Sequence, residues 1–148
     1  MNLNKGKKKK MKISKINKYD KILSKIEVIV PGITWCWLTD TDMDKYGIFD
    51  SGANIILLSE DICDLTEEQA LSVLYHEAGH YMLEQEIVKR TPEYKHELAA
   101  QLLGSDLAFE MGYTRVGLLM IKQLENWAFE CGPYKRANKY SFEFTEEN

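Results

Sequence analysis

Covalent staples are missing from this chain. Its three cysteines, Cys36, Cys63 and Cys131, are far apart and form no CxxC pair. That excludes a disulfide framework and a thiolate zinc cluster and leaves reduced thiols. No apolar run approaches the ~20 residues that a bilayer span requires. The lysine-rich start is not followed by the hydrophobic stretch of a secretory signal, so a cytoplasmic protein without a membrane span is expected. Asp40, Asp42 and Asp44 alternate as in a calcium loop. The glycine and closing glutamate of an EF-hand are absent from their positions, so a plain loop is expected. No internal repeat is present. With 45% apolar and 28% charged residues, the composition is that of an ordinary globular protein, and 148 residues suit one domain with a real core.

Charge is unevenly placed. The first 25 residues hold ten lysines and one acid, net +9, and the remaining 123 hold nine basic and 22 acidic side chains, net −13, which together give the chain's −4. A basic arm over residues 1–12, disordered by its composition, is expected ahead of a single domain over residues 13–148. Such an arm offers weak nucleic-acid contact, while the acidic body argues against that as the main function. Lys5-Gly6-Lys7 through Lys10 has a further reading. Purine-rich codons there would resemble a bacterial ribosome-binding site, with Met11 as the native start.

Histidine is scarce, three in the whole chain, yet two fall in His76-Glu77-Ala78-Gly79-His80. Residues four apart share a helix face, so both imidazoles reach one metal ion, and Glu77 stands beside any water there. This is the HExxH arrangement of zinc hydrolases, with His76 and His80 as metal ligands and Glu77 as general base. The setting favours a helix. Thr66 and Gln69 make a capping box, and Leu71, Leu74, Tyr75, Ala78 and Met82 form one apolar stripe. His76, Glu77 and His80 lie on the opposite face with Gln69, Val73 and Glu84, facing a cleft.

The remaining pattern predicts an α+β fold: an N-terminal helix, a short, mainly antiparallel sheet of about three strands, the active-site helix and two further helices. Ile13, Ile16, Tyr19, Ile22, Leu23 and Ile26 mark the first helix over 13–26. Residues 27–30 read as a short β-run stopped by Pro31-Gly32, and 33–38 as a strand. Residues 46–49 and 54–58 form a hairpin around Asp50-Ser51-Gly52-Ala53. Thr91-Pro92 opens a helix over 92–111 that ends at Gly112. It carries Tyr94, Leu98, Leu102 and Phe109 on one side and Glu97, Ala100, Gln101, Gly104 and Ala108 on another. The small residues permit close approach to a second helix. A last helix runs from Arg115 to Cys131, capped by Thr114. Trp35, Trp37 and Trp127 are expected in the core.

A catalytic zinc keeps three protein ligands and an open position. In one straight helix Glu97 would lie ~25 Å from His80, so the chain must turn back between them. Thr91-Pro92 permits this, provided the motif helix ends near 84–86. Glu97 is then the chosen third ligand, with Glu93, His96 and Asp106 as alternatives.

The stretch from Leu65-Thr66-Glu67 to His76-Glu77-Ala78-Gly79-His80 resembles the approach helix of gluzincin metallopeptidases. Glu97-Leu98-Ala99-Ala100-Gln101 is similar to the ExxA(D/N) element that supplies their third ligand. The short, span-free layout most resembles the ImmA/IrrE-type peptidases of phages and mobile elements, over roughly residues 54–112. Two departures stand out: Gln101 where the group has an acid or Asn, and a short interval from His80 to Glu97. The resemblance implies a zincin-like domain, one Zn²⁺ per chain, and cleavage of a protein or peptide substrate. In the ImmA-like case that substrate is a DNA-binding repressor that silences a mobile element. Tyr113, Tyr134, His96 and Arg136, with Tyr94, are candidates for oxyanion or substrate contacts. Two rivals remain: a catalytically inactive zincin-fold metal sensor or regulatory binding protein, and a nucleic-acid accessory protein using the lysine-rich arm.

Overall fold

A computed structural model describes residues 3–39, 45–85 and 93–130. Its elements run α1 (Leu3–Ile29), β1 (Trp35–Leu38), β2 (Gly47–Asp50), β3 (Ile55–Ser59), a 3-10 turn (Glu60–Asp64), α2 (Glu67–Gln85), α3 (Glu93–Glu110) and α4 (Thr114–Glu130). This is the α+β layout of helix, three-stranded sheet and three further helices. The sheet is mixed, in the order β1-β3-β2. β2 pairs antiparallel with β3 as the expected hairpin, and β1 pairs parallel with β3 on the other side. The hairpin turn is local chemistry: Asp50 Oδ1 accepts from the Ala53 N–H at 3.2 Å. Ile56 and Leu58 of the central strand β3 are fully buried.

Helix α1 is longer than the 13–26 repeat at both ends. Residues 27–29 of the expected β-run continue the helix, and the Val30 N–H just beyond it still donates to Ile26 O at 2.8 Å. Continuing the helix places Val30 on the buried stripe of Tyr19, Ile22, Leu23 and Ile26, while Val28 and Ile29 face solvent. Burial of one helix face outweighs the β preference of a four-residue run. The helix also begins at Leu3, so the arm expected to lack structure is helical from there. Lys15 Nζ donates to Cys63 O at 2.8 Å, and Cys63 Sγ donates to Lys12 O at 3.7 Å, which fastens α1 to the 3-10 turn. A single oxygen, Asp20 Oδ1, accepts from the indole N–H groups of Trp35 and Trp37 at 2.9 and 2.7 Å, tying α1 to β1.

The three C-terminal helices pack by close backbone approach. A Cβ on Gly79 would run into the Ala100 carbonyl oxygen, and one on Gly104 into the Tyr75 carbonyl oxygen. Helices α2 and α3 therefore touch along the small-residue face, with Ala100, Gln101 and Ala108 turned inward and Leu102 and Phe109 left outside. α3 ends in a Schellman motif, with the Tyr113 N–H donating to Ala108 O at 2.8 Å and Gly112 at φ +89°. Among the described residues, no helix is long and apolar enough to cross a membrane.

Candidate metal centre

Helix α2 begins as its sequence predicts. The Thr66 hydroxyl accepts from the Gln69 N–H at 3.2 Å, and Gln69 Oε1 accepts from the Thr66 N–H at 3.1 Å. Its described span reaches Gln85, and the segment of residues 86–92 that leads on to α3 lies outside the described residues. Every residue from Gln69 to Tyr81 is buried, so the HExxH face does not open on a broad cleft. α3 covers it from one side, and β2 crosses it at Gly47, where a Cβ would stand 3.0 Å from Glu77 Cγ.

One helical turn brings the two histidines together, with Nε2 atoms 3.1 Å apart and ring planes 86° apart. His76, Glu77 and His80 are buried and offer ligand atoms within 4.8 Å of one another, a group that can hold a metal ion. α3 returns and adds Glu97, 4% exposed. Its Oε2 lies 3.0 Å from His76 Nε2 and its Oε1 2.9 Å from His80 Nε2. A tetrahedral zinc with ligands at about 2.0–2.1 Å spaces its donors about 3.3 Å apart, so a few tenths of an ångström of expansion would seat the ion. Among the described residues, nothing hydrogen-bonds to the Glu77 carboxylate, which has an oxygen within 4.8 Å of both histidine ligand atoms, while the Glu97 oxygens lie closer, at about 3 Å.

A second layer fixes the first. Gln101 Oε1 accepts from His76 Nδ1 at 2.6 Å. Its Nε2 donates to the Met120 carbonyl and to Gln123 Oε1, both at 2.9 Å. A backbone carbonyl only accepts, so it decides which way the Gln101 amide faces. The amide oxygen then keeps a proton on His76 Nδ1, and Nε2 is the atom left to bind a cation. Behind the other ligand, His96 Nδ1 lies 2.9 Å from His80 Nδ1, and His96 Nε2 lies 3.5 Å from Glu84 Oε1.

Electrostatics agree with a cation site. Burial pulls His76 down, but the Glu97 hydrogen bond, the charges of Glu77 and Glu97 and the Gln101 contact carry it above its ordinary value. Burial pushes Glu97 up, and hydrogen bonds and charge from His76 and His80 overcome that and hold the carboxyl far below the carboxylate range. Burial and the neighbouring His80 lower His96.

Of the other candidates, Asp106 is exposed and is not in the group of ligand atoms around the histidines. Tyr113 packs on Tyr75, ring centroids 6.0 Å apart, on the apolar side of α2. There it borders a cleft of about 550 Å³ with Thr66, Leu71, Thr114 and Arg115, toward the start of α2 from His76. That cleft contains none of the metal-site groups. His96, kept as an alternative ligand, sits behind His80. Tyr134 and Arg136 lie outside the described residues, as do Asp40, Asp42, Asp44 and the side chains of Glu93, Tyr94 and Trp127. Sequence reasoning missed Gln123. Its signal was available: with Val116 and Met120 it forms a buried i, i+4, i+7 stripe on α4, and a polar residue in such a stripe asks for a partner. Comparison with protein-family models, known proteins and solved structures finds no match to this chain.

Proposed function

We propose that this protein is a zinc-dependent metallopeptidase. One observation carries the reading: His76 Nε2, His80 Nε2 and the Glu97 carboxylate converge within about 3 Å of one another while Glu77 stands beside them. Two nitrogen donors and one carboxylate are the zinc set of the gluzincin pattern, and imidazole suits zinc better than magnesium or calcium. When bound, zinc supplies Lewis acidity toward a peptide carbonyl and a water. Glu77 accepts the proton of the attacking water and returns it to the leaving amine. His76 and His80 hold their Nε2 atoms on target, and Gln101 keeps the His76 proton on the far nitrogen. The likeness to ImmA/IrrE-type peptidases extends the proposal to a protein substrate, a repressor of a phage or mobile element, cleaved in the cytoplasm.

A second reading has an observation of its own. His76, Glu77, His80 and Glu97 are each at most 6% exposed, and the cavity between β2 and Glu77 measures about 10 Å³, room for about one water. That closure suits a metal sensor or regulatory binding protein without turnover. Zinc content of wild type and Glu97→Ala, with proteolysis by wild type and Glu77→Gln, separates the readings. The peptidase requires one zinc per chain, its loss in Glu97→Ala, and cleavage that falls about 10²–10⁴-fold in Glu77→Gln with zinc retained. Zinc without cleavage in wild type selects the sensor. No zinc after reconstitution sinks the peptidase and the metal sensor.

A further inference from the structure

The metal centre leaves one histidine without a role, and both nitrogens of that ring are placed. For His80 to present an Nε2 lone pair beside His76 and Glu97, its proton must sit on Nδ1. A buried N–H without an acceptor is costly, so something must receive it. Among the described residues the atom in reach is His96 Nδ1, at 2.9 Å. The two ring planes differ by 16° and their centroids are 4.9 Å apart, so the nitrogens are much closer than the ring centres. The rings therefore run nearly parallel and approach each other through their Nδ1 atoms. With Nδ1 accepting, the His96 proton is on Nε2, a buried atom with no hydrogen-bond partner that faces Glu84 Oε1 at 3.5 Å. Glu84 is one helical turn beyond His80, so α3 inserts His96 between two neighbours on α2.

We propose that His96 is a positioning residue of the metal centre, accepting the His80 Nδ1–H and so holding His80 with Nε2 unprotonated and aimed at the ion. The proposal rests on the metal-site reading above. It gives His80 the support that Gln101 gives His76, and in both cases the acceptor is a neutral group rather than a carboxylate.

Leucine and asparagine nearly match in shape, and asparagine Oδ1 falls where His96 Nδ1 is. Zinc affinity of the full chain, by competition with a chromophoric chelator, is compared for wild type, His96→Leu and His96→Asn, with circular dichroism as the check on folding. The expected result is a loss of about 10–100-fold in His96→Leu, largely restored in His96→Asn. The visible spectrum of the cobalt-loaded protein should change in His96→Leu alone. Equal affinities for the two variants, or a His96→Leu variant that binds like wild type, would overturn the proposal and leave the metal site standing. A wild type that binds no zinc overturns the metal reading itself. Long-range ¹H–¹⁵N spectra of zinc-loaded wild type need no variant. They should show His96 protonated on Nε2 with Nδ1 accepting, and a proton on His96 Nδ1 would refute the role.

Discussion

At His76 and Glu97 two opposite shifts depend on the same contact, which makes the metal-free protein sensitive to pH in a defined way. His76 is raised above its ordinary 6.5 in the fold, so its contribution to stability is complete below pH 6.5 and fades as pH rises through the raised value. Glu97 is held below its ordinary 4.5, so its contribution is complete above pH 4.5 and is lost as pH falls. The metal-free protein should therefore gain most from this pair between pH 4.5 and 6.5. Urea midpoints measured across pH should fall above that window in wild type, and much less in Glu97→Ala, which removes the hydrogen bond that raises His76. Identical profiles would contradict the assignment. At this scale HExxH was legible because spacing alone places its side chains. Glu97 was legible because the chain had to turn back near Pro92. His96 and Gln123 acquire their places only from the contact of one helix with another, which no local spacing encodes.

Among the elements, the contact between α2 and α3 decides whether Glu97 reaches the histidines at all. Gly79→Ala and Gly112→Ala separate two reasons for glycine. Replacing an interior helix glycine by alanine ordinarily gains about 1 kcal/mol. At Gly79 the new methyl meets the Ala100 carbonyl, a backbone atom that cannot swing aside. The helices must part, so a loss of roughly 2 kcal/mol or more is expected, together with zinc binding. At Gly112 the space is open and only the φ of +89° is strained, so about 1 kcal/mol should be lost with zinc binding intact. Thermal melts and zinc titrations of both variants test this. Equal effects on zinc would mean that close helix contact does not set the Glu97 position. The inward small-residue face and the Thr66–Gln69 cap were readable, since glycine, alanine and capping residues carry their geometry with them. The parallel pairing of β1 with β3 was not, because which strand lies beside which is decided by contacts between elements and not by the alternation within each strand. The last turn of α1 was misread because a four-residue β-branched run carries too weak a preference to resist continuing the helix that buries Val30, even with Val28 and Ile29 left in solvent.

Across the molecule, the proposed ligand set joins elements that are otherwise separate in sequence. His76 and His80 belong to α2, Glu97 to α3, and the Gln101 amide reaches the Met120 carbonyl of α4. An ion bound only by the folded arrangement must stabilise it by mass action, by about 2.7 kcal/mol at a free concentration 100 times the dissociation constant. For a chain of this size that corresponds to a rise in melting temperature of roughly 5–10 °C. The rise should reverse with a chelator and shrink strongly in Glu97→Ala, which takes away the ligand that links α3 to α2. Glu77→Gln should keep most of it if Glu77 is the general base of the proposed site, since the closer carboxylate, that of Glu97, is left in place. A rise of equal size in wild type and Glu97→Ala would place the ion on the histidines alone or elsewhere on the acidic body. A rise lost equally in Glu97→Ala and Glu77→Gln would make Glu77 a ligand, and a carboxylate committed to the metal is not free to take the proton of the attacking water.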